Sequence, residues 1–448
     1  MPHPPEWRDR GLALALLSLS LLVFWSAPVS YLADGEYTLL LAQNLLDGEG
    51  WRLDRHFPRP GAAGAPAGYL PYQVLEHRGH VYFGYPNASA YLALPLVAAV
   101  DLLGLSVLDR AGGYDAARER KLQRILAGLL GASLTAILYL GFRAIAPVWL
   151  SAAAALTATV ASVVLSDLTR ALWSQSWATL LVGVVTWELL VSRSGGRAPR
   201  CAVVGSALFW LVLVRPPAML VALCVLGYLL VDARSAVRPT LAWLAAWTTS
   251  VAAINWFVYG SVWQPSIYLG AELFAFEGWP LRAWSVLASP SRGLFVYMPW
   301  VVLAGCAVVL AGRLAARGIV AMSLTAAAAY FVLLSLYVRW VGGACYGPRL
   351  WAEMVPLLAL AATAGLQAAL AAESRRRRAM VLALAVVTVG WSLFVNYRGA
   401  FAPETHAWNR RLEGQGWRSP AVYDWRQPQF LEGLLEPSGG EGSPKSYK

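Results

Sequence analysis

Apolar segments long enough to cross a bilayer recur along almost the whole chain, and this limits the fold more than any other feature. A span needs about 20 mainly apolar residues. Such segments read near 11–31, 124–142, 147–166, 176–192, 240–259, 295–313, 318–338, 352–371 and 378–397. With 58% apolar and 14% charged residues, the chain has more apolar side chain than a soluble core can hide. The 26 Pro and 39 Gly follow no collagen-like period, so a fibrous or disordered chain is also excluded. The prediction is an all-α, polytopic transmembrane bundle of about 11–13 helices.

Charge patterning sets the orientation. All but three of the 36 basic residues are arginine, the lysines being Lys121, Lys445 and Lys448. The arginines sit in short clusters between apolar runs, which is the positive-inside pattern and not a nucleic-acid-binding face. The first apolar run follows Arg8 and Arg10 and leads directly into an acidic motif, so it reads as a retained span and not as a cleaved signal. With Arg313, Arg317 and Arg375 to Arg378 inside, four segments fall outside: 32–85, 260–294, 339–351 and the tail 398–448. The transmembrane domain is then 1–397. Residues 86–104 and 202–231 are ambiguous. Either 86–104 stays on one side while 202–231 crosses twice, with Arg143 and Arg193 inside, or 86–104 crosses and 202–231 crosses once. Charge alone does not separate the two schemes.

The outer segments hold the unusual residues. Loop 32–85 begins LADGEYTLLLAQNLLDGEGW, where Tyr37, Leu40, Leu41 and Leu45 recur at helical spacing. That spacing predicts an amphipathic helix lying on the membrane. Asp34 and Glu36 stand at its start, as N-caps or as a carboxylate able to take a proton from a hydroxyl. His77 and His80 lack further metal-ligand partners and read as solvated, and Cys201, Cys224, Cys306 and Cys345 have neither zinc-site nor disulfide spacing. In SPSRGLFVYMPW and RWVGGACYGPRLWAEMVP, Arg292 and Arg349 each sit beside glycines and aromatics just before a span. Headgroup anchoring explains an average interfacial arginine. The glycines, however, bring backbone close to something, and a guanidinium fork suits a pair of phosphate oxygens. Tyr37, Tyr85, Tyr346 and Trp340 are the candidate substrate-binding aromatics.

Taken together, ADGEYTLLLAQNLLDGEGW, VYFGYPNASAYLALP, LVRPPAML, SPSRGLFVYMP and GGACYGPRLWAEMVP resemble stretches of the GT-C glycosyltransferases, specifically bacterial members similar to the dolichyl-phosphate-mannose protein mannosyltransferase and aminoarabinose transferase families. The resemblance covers most of the chain in patches. It implies a polyprenyl-phosphate sugar donor, an acceptor hydroxyl or amine, and inverting transfer at the outer face of a bacterial inner membrane. Family members commonly have an Asp-Glu pair after the first span. Here Gly35 intervenes, and Asp34 is favoured as the catalytic aspartate. The second acidic position of the family falls on Asp167, in SDLTRALWSQSW, which needs 166–176 to be outside. Where relatives have a Lys or His before a double proline, this chain has Gly84-Tyr85-Pro86, so the donor-phosphate contact falls to Arg349 or Arg292. The expected roles are Asp34 as general base, Glu36 or Asp167 orienting the acceptor or a divalent metal, and Arg349 and Arg292 facing the leaving phosphate. A transporter of lipid-linked sugars would need charged spans and repeated halves, neither of which is seen, and a non-catalytic membrane subunit stays open.

Overall fold

The computed structural model describes residues 7–57, 70–268, 272–310, 316–371, 374–412, 415 and 418–435. Parts of the expected loop 32–85 (58–69), of segment 260–294 (269–271), of the span 295–313 (311–313) and of the tail (413–414, 416–417 and 436–448) lie outside the described residues. Seven described helices are long and apolar enough to cross a membrane, and five shorter apolar helices accompany them.

In chain order the helices are α1 (Trp7–Ser26), α2 (Thr38–Leu46), α3 (Ala88–Asp101), α4 (Ala116–Phe142), α5 (Val148–Val160), α6 (Ser174–Ser194), α7 (Cys201–Val214), α8 (Met219–Asp232), α9 (Arg234–Tyr259), α10 (Trp279–Ala288), α11 (Leu294–Tyr297), α12 (Ala304–Val309), α13 (Arg317–Leu336), α14 (Val355–Leu370) and α15 (Arg375–Phe401). The strands β1 (Val74–His77) and β2 (His80–Phe83) form one antiparallel hairpin. Arg78 and Gly79 make its turn, both at positive φ, as a tight two-residue hairpin requires.

Ion pairs at the helix ends resolve the ambiguous middle. Arg143, just past α4, pairs with Asp9 at the start of α1 at 2.9 Å, and Arg193 near the end of α6 lies 3.7 Å from Asp232 at the end of α8. Arg197 and Arg200 clasp the buried Glu188 at 2.8 and 2.6 Å. These groups gather at one end of the bundle. Helices α7 and α8 run away from that end and back, broken at Arg215-Pro216-Pro217, so 202–231 passes through the bundle twice. Asn87, capping α3, donates to the Tyr259 hydroxyl at the far end of α9 (2.6 Å). After α3 the chain returns through the Leu108–Tyr114 bridge to Asp115, whose side chain caps α4. Helix α3 thus begins and is brought back at one end.

Three expectations change. Helix α2 is not an interfacial helix, because Thr38 through Asn44 are all buried against α3 and α4. The span expected over 295–313 is broken into α11, a 3-10 turn over Pro299–Leu303 and α12, since Pro299 removes a helical N–H and its ring clashes with the preceding turn. The segment expected to span 147–166 leaves helical geometry at Ala161 and passes into a π-turn over Val164–Leu168. At the end of α1, Arg170 is wholly buried and donates to the carbonyls of Phe24 (2.6 Å), Ala27 (3.0 Å) and Val29 (3.4 Å). It satisfies acceptors that a helix terminus leaves without partners and fixes the path into Asp34.

Candidate functional site

The end of the bundle opposite Arg143 and Arg193 holds the unusual polar residues. The chain turns there at Asp34-Gly35-Glu36, and Gly35 is what lets it turn. A Cβ at this position would overlap the Leu172 carbonyl oxygen. The Gly35 carbonyl in turn accepts from Gln123 Nε2 (2.8 Å), whose Oε1 accepts from the Leu172 N–H (3.1 Å). With the backbone held on both sides, the flanking carboxylates part company.

Asp34 keeps its side chain 38% exposed. Its Oδ1 accepts from the Tyr85 hydroxyl at 3.1 Å, and its Oδ2 lies 3.6 Å from Nη1 of Arg349. Glu36 turns away, accepting from Gln73 Nε2 (3.1 Å) and the Tyr114 hydroxyl (3.4 Å). Burial holds its carboxyl above the usual range. Neither residue caps α2. That task falls to the fully buried Glu119 of α4, which accepts from the N–H groups of Tyr37 (3.2 Å) and Leu39 (3.1 Å). The N-cap reading of Asp34 therefore has no geometric support.

Arg349 is buried and its guanidinium lies over the Trp173 ring, 3.7 Å from the centroid. Nη2 donates to the Gly342 carbonyl at 2.6 Å, while Nε and Nη1 have no hydrogen-bond partner among the described residues. Gly342, Gly343 and Gly347 all have positive φ, and a Cβ on Gly347 would meet the Tyr297 ring at 2.7 Å. Glycines here are thus required by backbone conformation and close packing. Arg349 opens a 3-10 turn that also contains Glu353. Glu353 is wholly buried and accepts from Arg215 Nε (3.0 Å) and from the Tyr330 hydroxyl, tying this turn to α7 and α13.

Asp167 lies behind Arg349 on the π-turn and is sealed from solvent. Its Oδ1 accepts from the Tyr31 hydroxyl and from the Tyr346 N–H (3.2 Å), and its Oδ2 has no partner among the described residues. Burial raises its pKa, and the Arg349 charge is the largest influence opposing that. Asp167 meets the arginine from within and does not reach the open side.

Arg292 is spent on the protein. It donates to Val341 O (2.9 Å), Ser291 O (2.8 Å), Gly343 O (3.4 Å), Asn409 Oδ1 (2.8 Å) and Gln429 Oε1. Gln429 closes the same knot by donating to the carbonyls of Cys345 and Thr405, both at 3.0 Å, while its Oε1 accepts from the Gly347 N–H at 3.1 Å. The C-terminal segment thereby grips the Arg349 loop.

Of the aromatic candidates, Tyr85 alone contacts the exposed carboxylate. Tyr37 is buried against Phe57 and Tyr114, Tyr346 donates to Val395 O (2.6 Å) beside Tyr297 and His406, and Trp340 is buried near Tyr423. Two phenols that the sequence reading missed also feel the Asp34 charge. Tyr72, though 58% exposed, is pushed up to about 12, by partial desolvation first and then by Asp34, and Tyr268, edge-on to Tyr85, is raised by burial and then by Asp34. All three remain hydrogen-bond donors at neutral pH. Trp173 and Arg215 were likewise unassigned. Arg215 had one signal, its place before Pro216-Pro217 at a helix break, while Tyr72 and Tyr268 lie in loops with no local motif. Among the described residues, no three His, Cys, Asp or Glu side chains converge as metal ligands.

No family model matches the chain, and no curated protein matches it. Two solved structures are similar. ArnT from Cupriavidus metallidurans bound to undecaprenyl phosphate shares 14% identity over 94% of this chain and 74% of that one, with a TM-score of 0.46. The apo state of the same protein gives 14% identity, 94% and 75% coverage, and a TM-score of 0.43.

Proposed function

We propose that this chain is a membrane-embedded glycosyltransferase that moves a sugar from a polyprenyl-phosphate donor to an acceptor hydroxyl or amine. One observation carries the reading. A part-exposed carboxylate, Asp34, stands 3.6 Å from a buried guanidinium, Arg349, at the end of a bundle of membrane-length helices. A base and an oxyanion partner are the two groups such a transfer needs side by side. The sequence resemblance to GT-C enzymes favours Asp34 as the catalytic aspartate and leaves the phosphate contact to Arg349 or Arg292.

In this reading Asp34 takes the acceptor's proton as the acceptor atom attacks the anomeric carbon. The electron pair of the breaking carbon–oxygen bond leaves on the lipid phosphate, whose growing charge faces Arg349. Tyr85, Tyr72 and Tyr268 supply hydroxyl donors around the sugar. Asp167 backs Arg349 from inside, Arg292 and Gln429 hold its loop, and Glu36 belongs to the neighbouring α2 network. The site faces the extracytoplasmic side, because Arg375 to Arg378 begin α15 and the other end of that helix, about 40 Å away, packs at Gly399 against Tyr346.

The test is transfer itself. Purified protein in nanodiscs is offered a panel of radiolabelled polyprenyl-phosphate sugars with candidate acceptors. Label should move to an acceptor, and Asp34→Asn should lower the rate by about 10²–10⁴ while leaving the fold intact. Lipid movement across vesicles without any transfer would replace this reading with a transporter.

A further inference from the structure

Arg349 is in an unusual state for a buried arginine. One face is covered by Trp173 and Nη2 is bonded to Gly342 O, yet Nη1 and Nε donate to nothing among the described residues and are sealed from solvent. Burying donors without acceptors is costly, so such groups call for an explanation. The part-exposed Asp34 lies beside Arg349, with Oδ2 at 3.6 Å, too distant to satisfy Nη1 by a hydrogen bond but close enough to balance its charge. Asp34 has a second tie, to Tyr85, and keeps over a third of its side chain in the open. Nη1 and Nε are sealed with the Asp34 carboxylate beside them, so a phosphate reaches them only after a group at this point moves.

We propose that Asp34 is a stand-in anion on Arg349, and that an incoming lipid phosphate exchanges for it. The inference rests on the glycosyl-transfer reading and adds an order to it. The phosphate oxygens take the unsatisfied N–H groups, and Asp34, released from the guanidinium but still held by Tyr85, turns to the acceptor. One event therefore seats the leaving group and arms the base. Before the donor arrives, Asp34 is engaged with Arg349, so the carboxylate is free for the acceptor only in the donor complex.

The exchange makes a prediction that simple repulsion between Asp34 and a phosphate does not. Binding of polyprenyl monophosphate to the full-length protein in nanodiscs is measured for wild type, Asp34→Asn, Arg349→Gln and the double variant. Removing the stand-in should tighten binding roughly two- to fivefold, the scale of a part-exposed ion pair. In the Arg349→Gln background the same change should do nothing, because no competition is left to relieve. Equal tightening in both backgrounds would reduce the effect to repulsion and overturn the exchange, as would unchanged or weaker binding by Asp34→Asn. Failure of every form, wild type included, to bind the lipid phosphate would overturn the glycosyl-transfer reading itself.

Discussion

Gly35 packs so closely on Leu172 that a single methyl group there would collide with the Leu172 carbonyl oxygen. That contact separates Asp34, which faces Arg349, from Glu36, which faces Gln73 and Tyr114. The extra residue between the two acids is therefore a geometric device. Gly35→Ala should push this turn off Leu172 at a strain of about 1–3 kcal/mol. A displacement near 1 Å at the base costs about 10² in rate. Thermal melts of the variant should show a modest loss of stability beside a much larger loss of transfer. Wild-type activity would mean that the turn relaxes without moving Asp34.

Arg349→Lys tests whether the guanidinium is more than an anchor. Lysine keeps the charge but loses the planar fork and the stacking on Trp173. The variant should raise the apparent KM for the lipid donor and lower kcat, with Arg349→Ala worse in both. A charge-assisted contact of this kind is worth about 1.5–3 kcal/mol, or roughly 10–150-fold in kcat/KM. Equal kinetics for wild type and lysine would leave Arg349 a buried packing and charge-balancing residue and move the phosphate contact elsewhere.

Most spans, and the acidic turn that holds Asp34, were legible because membrane length and local clustering are properties of contiguous sequence. What escaped was whatever depends on distant segments meeting. The Tyr37 stripe has helical period, but burial on both faces comes from α3 and α4, and the cap of α2 comes from Glu119, 82 residues beyond Tyr37. Arg292 and Arg349 look alike in sequence, each beside glycine before a span. The fold distinguishes them: Asn409 and Gln429 of the tail help consume the first, while Nε and Nη1 of the second have no hydrogen-bond partner among the described residues. Asp167 was found by resemblance, and no local pattern reveals that the π-turn seals it.

Orientation in the membrane can be read by cysteine labelling in a background lacking Cys201, Cys224, Cys306 and Cys345. Arg55 is exposed near the site end and Arg376 is exposed at the start of α15. Arg55→Cys should react with an impermeant thiol reagent added outside intact cells, and Arg376→Cys should react only after permeabilisation. Ser291 is a poor reporter, being wholly buried. The reverse labelling would place the site in the cytoplasm.

Acid sensitivity should trace to His406. Its ring is half-buried between Tyr31 and Tyr346, with Nε2 3.2 Å from the Gly399 carbonyl. Burial lowers its pKa from 6.5 to about 4. The neutral ring is the one that fits, and the unfolded chain binds the extra proton more readily. Between pH 6.5 and about 4 the unfolded state therefore holds more protons, so stability falls as pH falls and is fully regained above pH 6.5. A shift of this size corresponds to about 3 kcal/mol across the window. Melting temperatures in detergent should drop as the pH is lowered from 6.5 to 4, and His406→Gln, which cannot take up the proton, should flatten that stretch. His406 packs on Tyr31, the donor to Asp167, so protonation should also loosen the wall behind Arg349. Transfer would then fade in the same window before global unfolding. An equally steep pH profile in the glutamine variant would assign the acid sensitivity to other groups.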